Sequence, residues 1–306
     1  MHKSVLLEEA IQYLNLKEDA IVVDCTLGYG GHSSEILKRI PKGHLYAFDQ
    51  DEEAIQSARK RLSEISSNFT IIKSNFVHLK EKLQELGITK VDGILFDLGV
   101  SSPQLDEDER GFSFHKDARL DMRMDQSQKK DAKEVVNTYS YEQLVQIMKT
   151  YGEEKFAPRI AKNIVESRQE KEIVTTLELV EIIKNSVPEK YRREHHPARK
   201  VFQAIRIEVN DELNVFEKAL HDALELIDVN GRVCVITFHS LEDIICKRIM
   251  KDVSTLPNEL KNLPVVPENL KPNFQMIKTI HPSKEELEEN RRARSAKLRV
   301  IERVKE

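Results

Sequence analysis

No stretch of this 306-residue sequence approaches the roughly 18 consecutive apolar residues that a membrane helix needs, so a bilayer-spanning role is not expected. Its first nine residues carry one lysine and then acids, without the charged and apolar regions of a secretory signal, and cytoplasmic residence is the expectation. There are only three cysteines, Cys25, Cys234 and Cys246, none in CxxC spacing and all in or beside apolar segments. Reduced, structural thiols are expected, because nothing nearby supplies the low-pKa setting of a reactive one. The ten histidines include no HExxH pair and no clustered ligand spacing, so no catalytic metal is expected. Repeats and low-complexity tracts are absent too, and the net charge of −4 argues against a general polycation. Any affinity for nucleic acid must come from local basic patches.

What the chain has is the composition of a globular protein, 40% hydrophobic and 33% charged, and enough length for one large α/β domain with a smaller one. Over residues 20–99 short apolar runs alternate with amphipathic ones, the pattern of a parallel sheet with crossover helices. Strands are predicted over 21–24, 44–49, 70–73 and 93–97, and helices over 33–40, 52–65 and 79–86. Several strands end on an acid, Asp24, Asp49 and Asp97, where an open α/β sheet lines its ligand crevice. After Leu105 the pattern changes: residues 106–131 are charged and aromatic without clear period, then helices follow one another without strands. Ser140 with Gln143, and Thr175 with Glu178, fit capping boxes. A long helix over 207–227 precedes returning strands at 232–238 and 297–301. An α/β sheet interrupted by an all-helical insertion explains this order, with core segments 1–107 and 206–306 around an insert at 108–205.

The run from Asp24 to Ser33, Asp-Cys-Thr-Leu-Gly-Tyr-Gly-Gly-His-Ser, sits where the first strand turns into the first helix, and its glycines permit a tight turn and close backbone approach. A dinucleotide fingerprint would place a third glycine where Ser33 stands, which disfavours a nicotinamide oxidoreductase. Asp49 closes the second strand, where an acid can accept both ribose hydroxyls of an adenosine. Phe76 follows the third and could stack on adenine or simply plug the sheet edge. Glycine loop, acid and aromatic at successive strand ends form the layout of an S-adenosylmethionine pocket.

The fourth strand runs into Asp97-Leu98-Gly99-Val100-Ser101-Ser102-Pro103-Gln104, followed by Arg110-Gly111-Phe112 and Leu120-Asp121-Met122-Arg123-Met124. Together with Gly30-Gly31-His32 and Thr237-Phe238-His239-Ser240-Leu241, this run resembles the ribosomal RNA small-subunit methyltransferase H family, also called MraW, over nearly the whole chain. The resemblance implies a Rossmann-like class I S-adenosylmethionine-dependent methyltransferase with an inserted helical substrate domain. It implies methylation of N4 of a cytidine in the decoding region of 16S ribosomal RNA, with the small ribosomal subunit as partner. Carried over by position, the cofactor contacts would be Gly30, Gly31, His32, Asp49, Phe76, Asp97 and Gln104.

An exocyclic cytosine amine is a poor nucleophile because its lone pair is delocalised into the ring, so the site must offer acceptors that turn it toward the methyl group. Amino-methylating enzymes often carry an Asp, Asn or Ser before two prolines and an aromatic after the fourth strand. This chain departs from that pattern, and Ser102, or the carbonyls beside Pro103, is expected to orient the amine while Asp97 holds the cofactor. Phe112 and Phe114 beside Arg110 could stack on a base, with a core role expected for at least one. A patch of Lys190, Arg192, Arg193, Arg199, Lys200 and Arg206 could grip phosphates or form a solvated face; Arg291, Arg292, Arg294, Lys297, Arg299 and Arg303 could form a tail on RNA or line the last strand. His239 is expected to be a hydrogen-bonded structural residue. A non-catalytic assembly factor using the same fold to bind RNA is the alternative from another class, and whether the chain forms a homodimer is left open by its residues.

Overall fold

The computed structural model describes residues 4–100, 108–194, 196–260 and 266–306. It divides into two compact units, one of residues 1–99 with 213–306 and one of residues 100–212. Among the described residues no helix is long and apolar enough to cross a membrane.

The first unit is built on a seven-stranded sheet of β1 (Ile21–Asp24), β2 (His44–Asp49), β3 (Phe69–Lys73), β4 (Val91–Asp97), β5 (Ile227–Thr237), β6 (Phe274–Ile280) and β7 (Lys297–Arg303). Their order is β3-β2-β1-β4-β5-β7-β6. The first five run parallel, and β7 enters antiparallel between β5 and β6. Parallel strands bring their carboxyl ends to one edge, and the chain reverses its order outward from β1 and β4, the place where such sheets open a ligand crevice. Both faces are covered, so consecutive residues are buried in opposite directions. Val22, Ala47 and Leu95 pack with α1 (Leu7–Leu14), α2 (Gly31–Arg39) and α3 (Glu52–Ser63). Val23, Phe48 and Phe96 pack on the other side with α4 (Leu79–Glu85) and the helices Glu212–Leu226 and Ser240–Ser254. This is the doubly wound, Rossmann-like α/β arrangement expected from the alternation of apolar runs.

Local capping explains why several helices start where they do. Asp51 accepts the Glu53 N–H at 3.1 Å to open α3, and Asn75 accepts the Val77 N–H at 2.9 Å to open the single turn Phe76–His78. The elements that escape the sequence pattern include α1, the helices Ser240–Ser254 and Lys284–Glu289, and β6 at the sheet edge. The helix predicted over 207–227 is a correction. Asp211 adopts a left-handed φ of 50°, which ends one helix at Asn210 and starts another at Glu212, while Ile227 already belongs to β5. The preceding helix, Ala198–Asn210, packs Val201, Phe202, Ile205 and Val209 into the helical core. The second compact unit runs to Glu212.

The second unit has a core of its own, with Val135, Leu144, Ile160, Ile164, Leu179, Ile183 and Phe202 among its fully covered side chains. Both expected capping boxes are present, Ser140 with Gln143 and Thr175 with Glu178. The Glu178 carboxylate also takes N–H groups from Val174 and Thr175 at 2.8 and 3.1 Å. Its pKa is held down to about 2, first by Lys171 and then by those amides. A depressed carboxylate stabilises above its unfolded value of 4.5, and that contribution fades as pH falls toward 2. Thr175→Ala should cost about 1 kcal/mol at neutral pH in thermal denaturation. A melting temperature equal to that of the parent protein would remove this cap from the account.

Candidate active site

The carboxyl ends of β1, β2 and β4 are joined by a hydrogen-bond network that the sequence only partly announces. Asp24, fully buried at the end of β1, accepts the Ser33 hydroxyl at 2.7 Å and the Thr26 N–H at 3.0 Å. The Thr26 hydroxyl accepts the Asp97 N–H at 2.7 Å and lies 3.4 Å from Asp24 Oδ1. Thr26 thus ties β1 to β4. On the other side Asp49 Oδ2 accepts the Gly28 N–H at 2.7 Å, tying the glycine loop to β2, and Oδ1 accepts from Asp51 at 2.9 Å. Ser74, just past β3, donates its N–H to the Asp49 carbonyl at 3.0 Å.

Gly30 caps α2 with φ +78°, a left-handed backbone that a β-carbon would strain. Gly31 and His32 form the first turn of α2, and His32 is 4% exposed. Its Nδ1 lies 3.4 Å from Asp97 Oδ2. Burial lowers the His32 pKa to about 4, against a contact with the Val5 backbone, so the ring is neutral at physiological pH. Burial, then the charges of Asp24 and Glu242, push the Asp97 carboxyl well above its ordinary range. A neutral imidazole therefore faces a carboxyl whose affinity for a proton is raised, and among the described residues the buried Asp97 Oδ1 has no hydrogen-bond partner. Such an orphan costs about 1–3 kcal/mol and calls for a ligand atom.

Asp49 is perturbed in the same direction, its pKa raised to about 6 by burial, with the Asp51 and Gly28 amides opposing. Phe76 is partly buried and meets Phe96 edge-on at 5.7 Å. The Asn75 cap fixes the turn that carries it. Asn75 also donates to the Gln50 side chain at 3.1 Å, which links the ends of β3 and β2. The structure thus places Gly30, Gly31, His32, Asp49, Phe76 and Asp97 along one sheet edge. Ser102, Pro103 and Gln104 lie outside the described residues.

Sequence reasoning passed over Thr26 and treated Ser33 only as a missing glycine. The signal was there: a hydroxyl two and nine positions after an acid that closes a buried strand. His239 precedes the helix Ser240–Ser254, with Nε2 3.1 Å from Glu242 Oε1, while Glu242 Oε2 accepts the Phe238 N–H at 2.7 Å. That geometry is a helix start, but among the described residues neither ring nitrogen of His239 has a hydrogen-bond partner, so the expected hydrogen-bonded histidine is corrected. Several basic residues are already paired: Arg206 with Glu212, Arg193 with Glu189, and both Lys297 and Arg299 with Asp243. In the helical unit Phe112 is buried, and Arg110 donates to the carbonyls of Arg123 and Met124 at 3.1 and 3.4 Å. That pair serves the core rather than a base.

The MraW methylase family model matches residues 1–304. The chain is similar to the ribosomal RNA small subunit methyltransferase H of Exiguobacterium sibiricum, at 56% identity covering 100% of this chain and 99% of that one. Among solved structures, an rRNA methylase from Streptococcus thermophilus matches at 12% identity and a TM-score of 0.45, covering 100% of this chain and 99% of the other. NSun6 from Pyrococcus horikoshii with SFG matches at 12% identity and a TM-score of 0.45, covering 99% of this chain and 53% of the other. Family membership rests on the first two findings.

Proposed function

The chain belongs to the MraW methylase family, and from that premise we propose that it methylates N4 of a cytidine in the decoding region of 16S ribosomal RNA within the small subunit. It is a small-subunit ribosomal RNA methyltransferase, and S-adenosylmethionine supplies the methyl group. The observation that carries the reading is the convergence of the glycine loop, Asp49 and Asp97 on one edge through Gly28, Thr26 and His32. A ribosomal substrate places the enzyme in the cytoplasm.

Each residue on that edge has a task that follows from its chemistry. The glycine loop lets main-chain atoms approach the donor, and Asp49 keeps acceptor capacity for ribose hydroxyls beyond the amides of Gly28, Asp51 and Gln50. Phe76 offers a ring beside the adenine position. Asp97, with its unfilled oxygen, would hold a polar group of the donor. In the transfer a nitrogen–carbon bond would form as the methyl carbon–sulfur bond breaks, the donor would leave as its neutral thioether, and one N4 proton would pass to water. Ser102, or the carbonyls beside Pro103, orients the amine. Holding nitrogen and carbon in line at about 3–3.5 Å supplies several kcal/mol of the acceleration. The helical unit serves substrate recognition, and a cytidine presented unpaired avoids an unstacking cost of a few kcal/mol.

Two measurements test this. Ribosomal RNA nucleosides from cells lacking the protein should lose N4-methylcytidine, or its further modified form, in mass spectrometry. An unchanged nucleoside profile would reject the substrate assignment. Donor affinity should also weaken as pH falls through about 6, because a protonated Asp49 loses acceptor capacity. Below that point the loss should approach about tenfold per pH unit. Affinity that stays flat from pH 7.5 to 5 would take Asp49 off the ribose.

A further inference from the structure

The helical unit carries a ring cluster to which the donor crevice gives no task. Phe114 meets the His115 and His196 rings, each with centroids 4.4 Å away, those two rings meet each other edge-on at 5.2 Å, and Phe202 meets Phe114 edge-on at 5.7 Å. Phe202 is buried, Phe114 and His196 are half-buried, and His115 is exposed. The cluster thus grades from core to solvent.

Its position is fixed by the fold. The loop carrying Phe114 and His115 is strapped to the start of the helix Thr176–Ser186. There the Thr176 hydroxyl donates to the Lys116 carbonyl at 2.7 Å and accepts the Ala118 N–H at 3.0 Å, while the Thr176 N–H donates to the Ala118 carbonyl at 2.8 Å. His196 comes from the other side, where its Nδ1 accepts the Ala198 N–H at 3.3 Å and its carbonyl accepts from Arg199. Three separate chain segments therefore build one surface.

Cations lie close to it. Burial and then the positive charges of His115, Lys184 and Arg199 disfavour protonation of His196. Lys184 keeps a partner in Glu181 at 2.9 Å, and Arg199 is exposed at the start of its helix. Exposed planar rings beside cations suit a polyanion that also has flat faces. Stacking is tolerant of base identity because every base has a π-face, and an adjoining phosphate takes the cations.

We propose that Phe114, His115 and His196, with Arg199 and Lys184, form a contact for single-stranded RNA on the helical unit, His115 stacking on a base and Arg199 and Lys184 taking the next phosphate. The proposal rests on the reading of ribosomal RNA as substrate. It assigns to RNA a cluster distinct from the buried Arg110 and Phe112 pair.

Fluorescence anisotropy of the full-length protein with a labelled ten-nucleotide single-stranded RNA tests it. The double variant His115→Ala with Arg199→Ala should bind about tenfold more weakly, and the salt dependence should flatten by about one phosphate contact. Donor affinity measured by calorimetry should be unchanged, which confirms folding. Phe114→Leu, which keeps apolar volume against Phe202, should also weaken RNA binding. Unchanged RNA affinity in the double variant would overturn the proposal. So would equal competition by an acidic peptide of the same length and charge, since that partner has no bases to stack. Methyl incorporation by the unaltered protein into small subunits, run alongside, reports on the functional reading alone. Its absence, with RNA binding still dependent on His115 and Arg199, would leave the cluster standing and remove methyl transfer.

Discussion

Asp97→Ala should lower donor affinity by about a hundredfold or more in calorimetry, the result of removing a group worth roughly 3 kcal/mol in a buried polar contact. Asp97 closes β4, its own N–H is anchored by the Thr26 hydroxyl, and Oδ1 has no partner among the described residues. The carboxyl is therefore held in place with one oxygen unspent. Burial, then the charges of Asp24 and Glu242, raise its affinity for a proton, and positive charge arriving with the donor acts the other way and favours proton release. Binding enthalpy should then change with the ionisation enthalpy of the buffer. Asp97→Asn should keep the shape and lose this buffer dependence. Wild-type affinity in Asp97→Ala would remove the residue from the pocket.

Gly111→Ala should destabilise the protein by more than about 3 kcal/mol in urea denaturation, through two effects that add. Gly111 sits at φ +72°, and a β-carbon built there would stand 2.4 Å from the Arg119 carbonyl oxygen and 2.9 Å from the Asp121 nitrogen. Both obstacles are backbone, so no side chain can turn aside. Gly87 is the control: its φ is +76°, but nothing lies within 4 Å of the added carbon. Gly87→Ala should cost only about 1 kcal/mol, the conformational part alone. Equal losses at the two positions would mean that the close approach at Gly111 contributes nothing.

The parallel half of the sheet was legible because its strands are short, apolar and bounded by acids or glycines. β1 and β2 fall where the pattern put them, and β4 extends the expected 93–97 by two residues. Other features were hidden for physical reasons. The periodicity of residues 207–227 runs unbroken through Asp211, because a left-handed Asp costs little and leaves no mark in a hydrophobic pattern. β6 is an edge strand with Gln275, Lys278 and Thr279 exposed, so it reads as polar loop.

The site was legible in its acids and glycines but not in its wiring. Asp24, Asp49 and Asp97 stand out as strand-end carboxylates. That Thr26 would bridge two of those strands, or that Ser33 would complete the Asp24 contact, needs the register of β1 against β4. The basic patches were overread from composition. Arg206, Lys297 and Arg299 are spent on Glu212 and Asp243, whereas the positive charge of Arg199 acts on His196 in the ring cluster.

The most direct measurement is methyl transfer itself: purified protein, S-adenosylmethionine labelled in the methyl group, and small subunits from cells lacking the enzyme, followed by nucleoside analysis. Label recovered in N4-methylcytidine with the unaltered protein, and lost with Asp97→Ala, is the predicted result. Subunits that stay unlabelled although the protein is folded, or label that survives the Asp97 replacement intact, would contradict it.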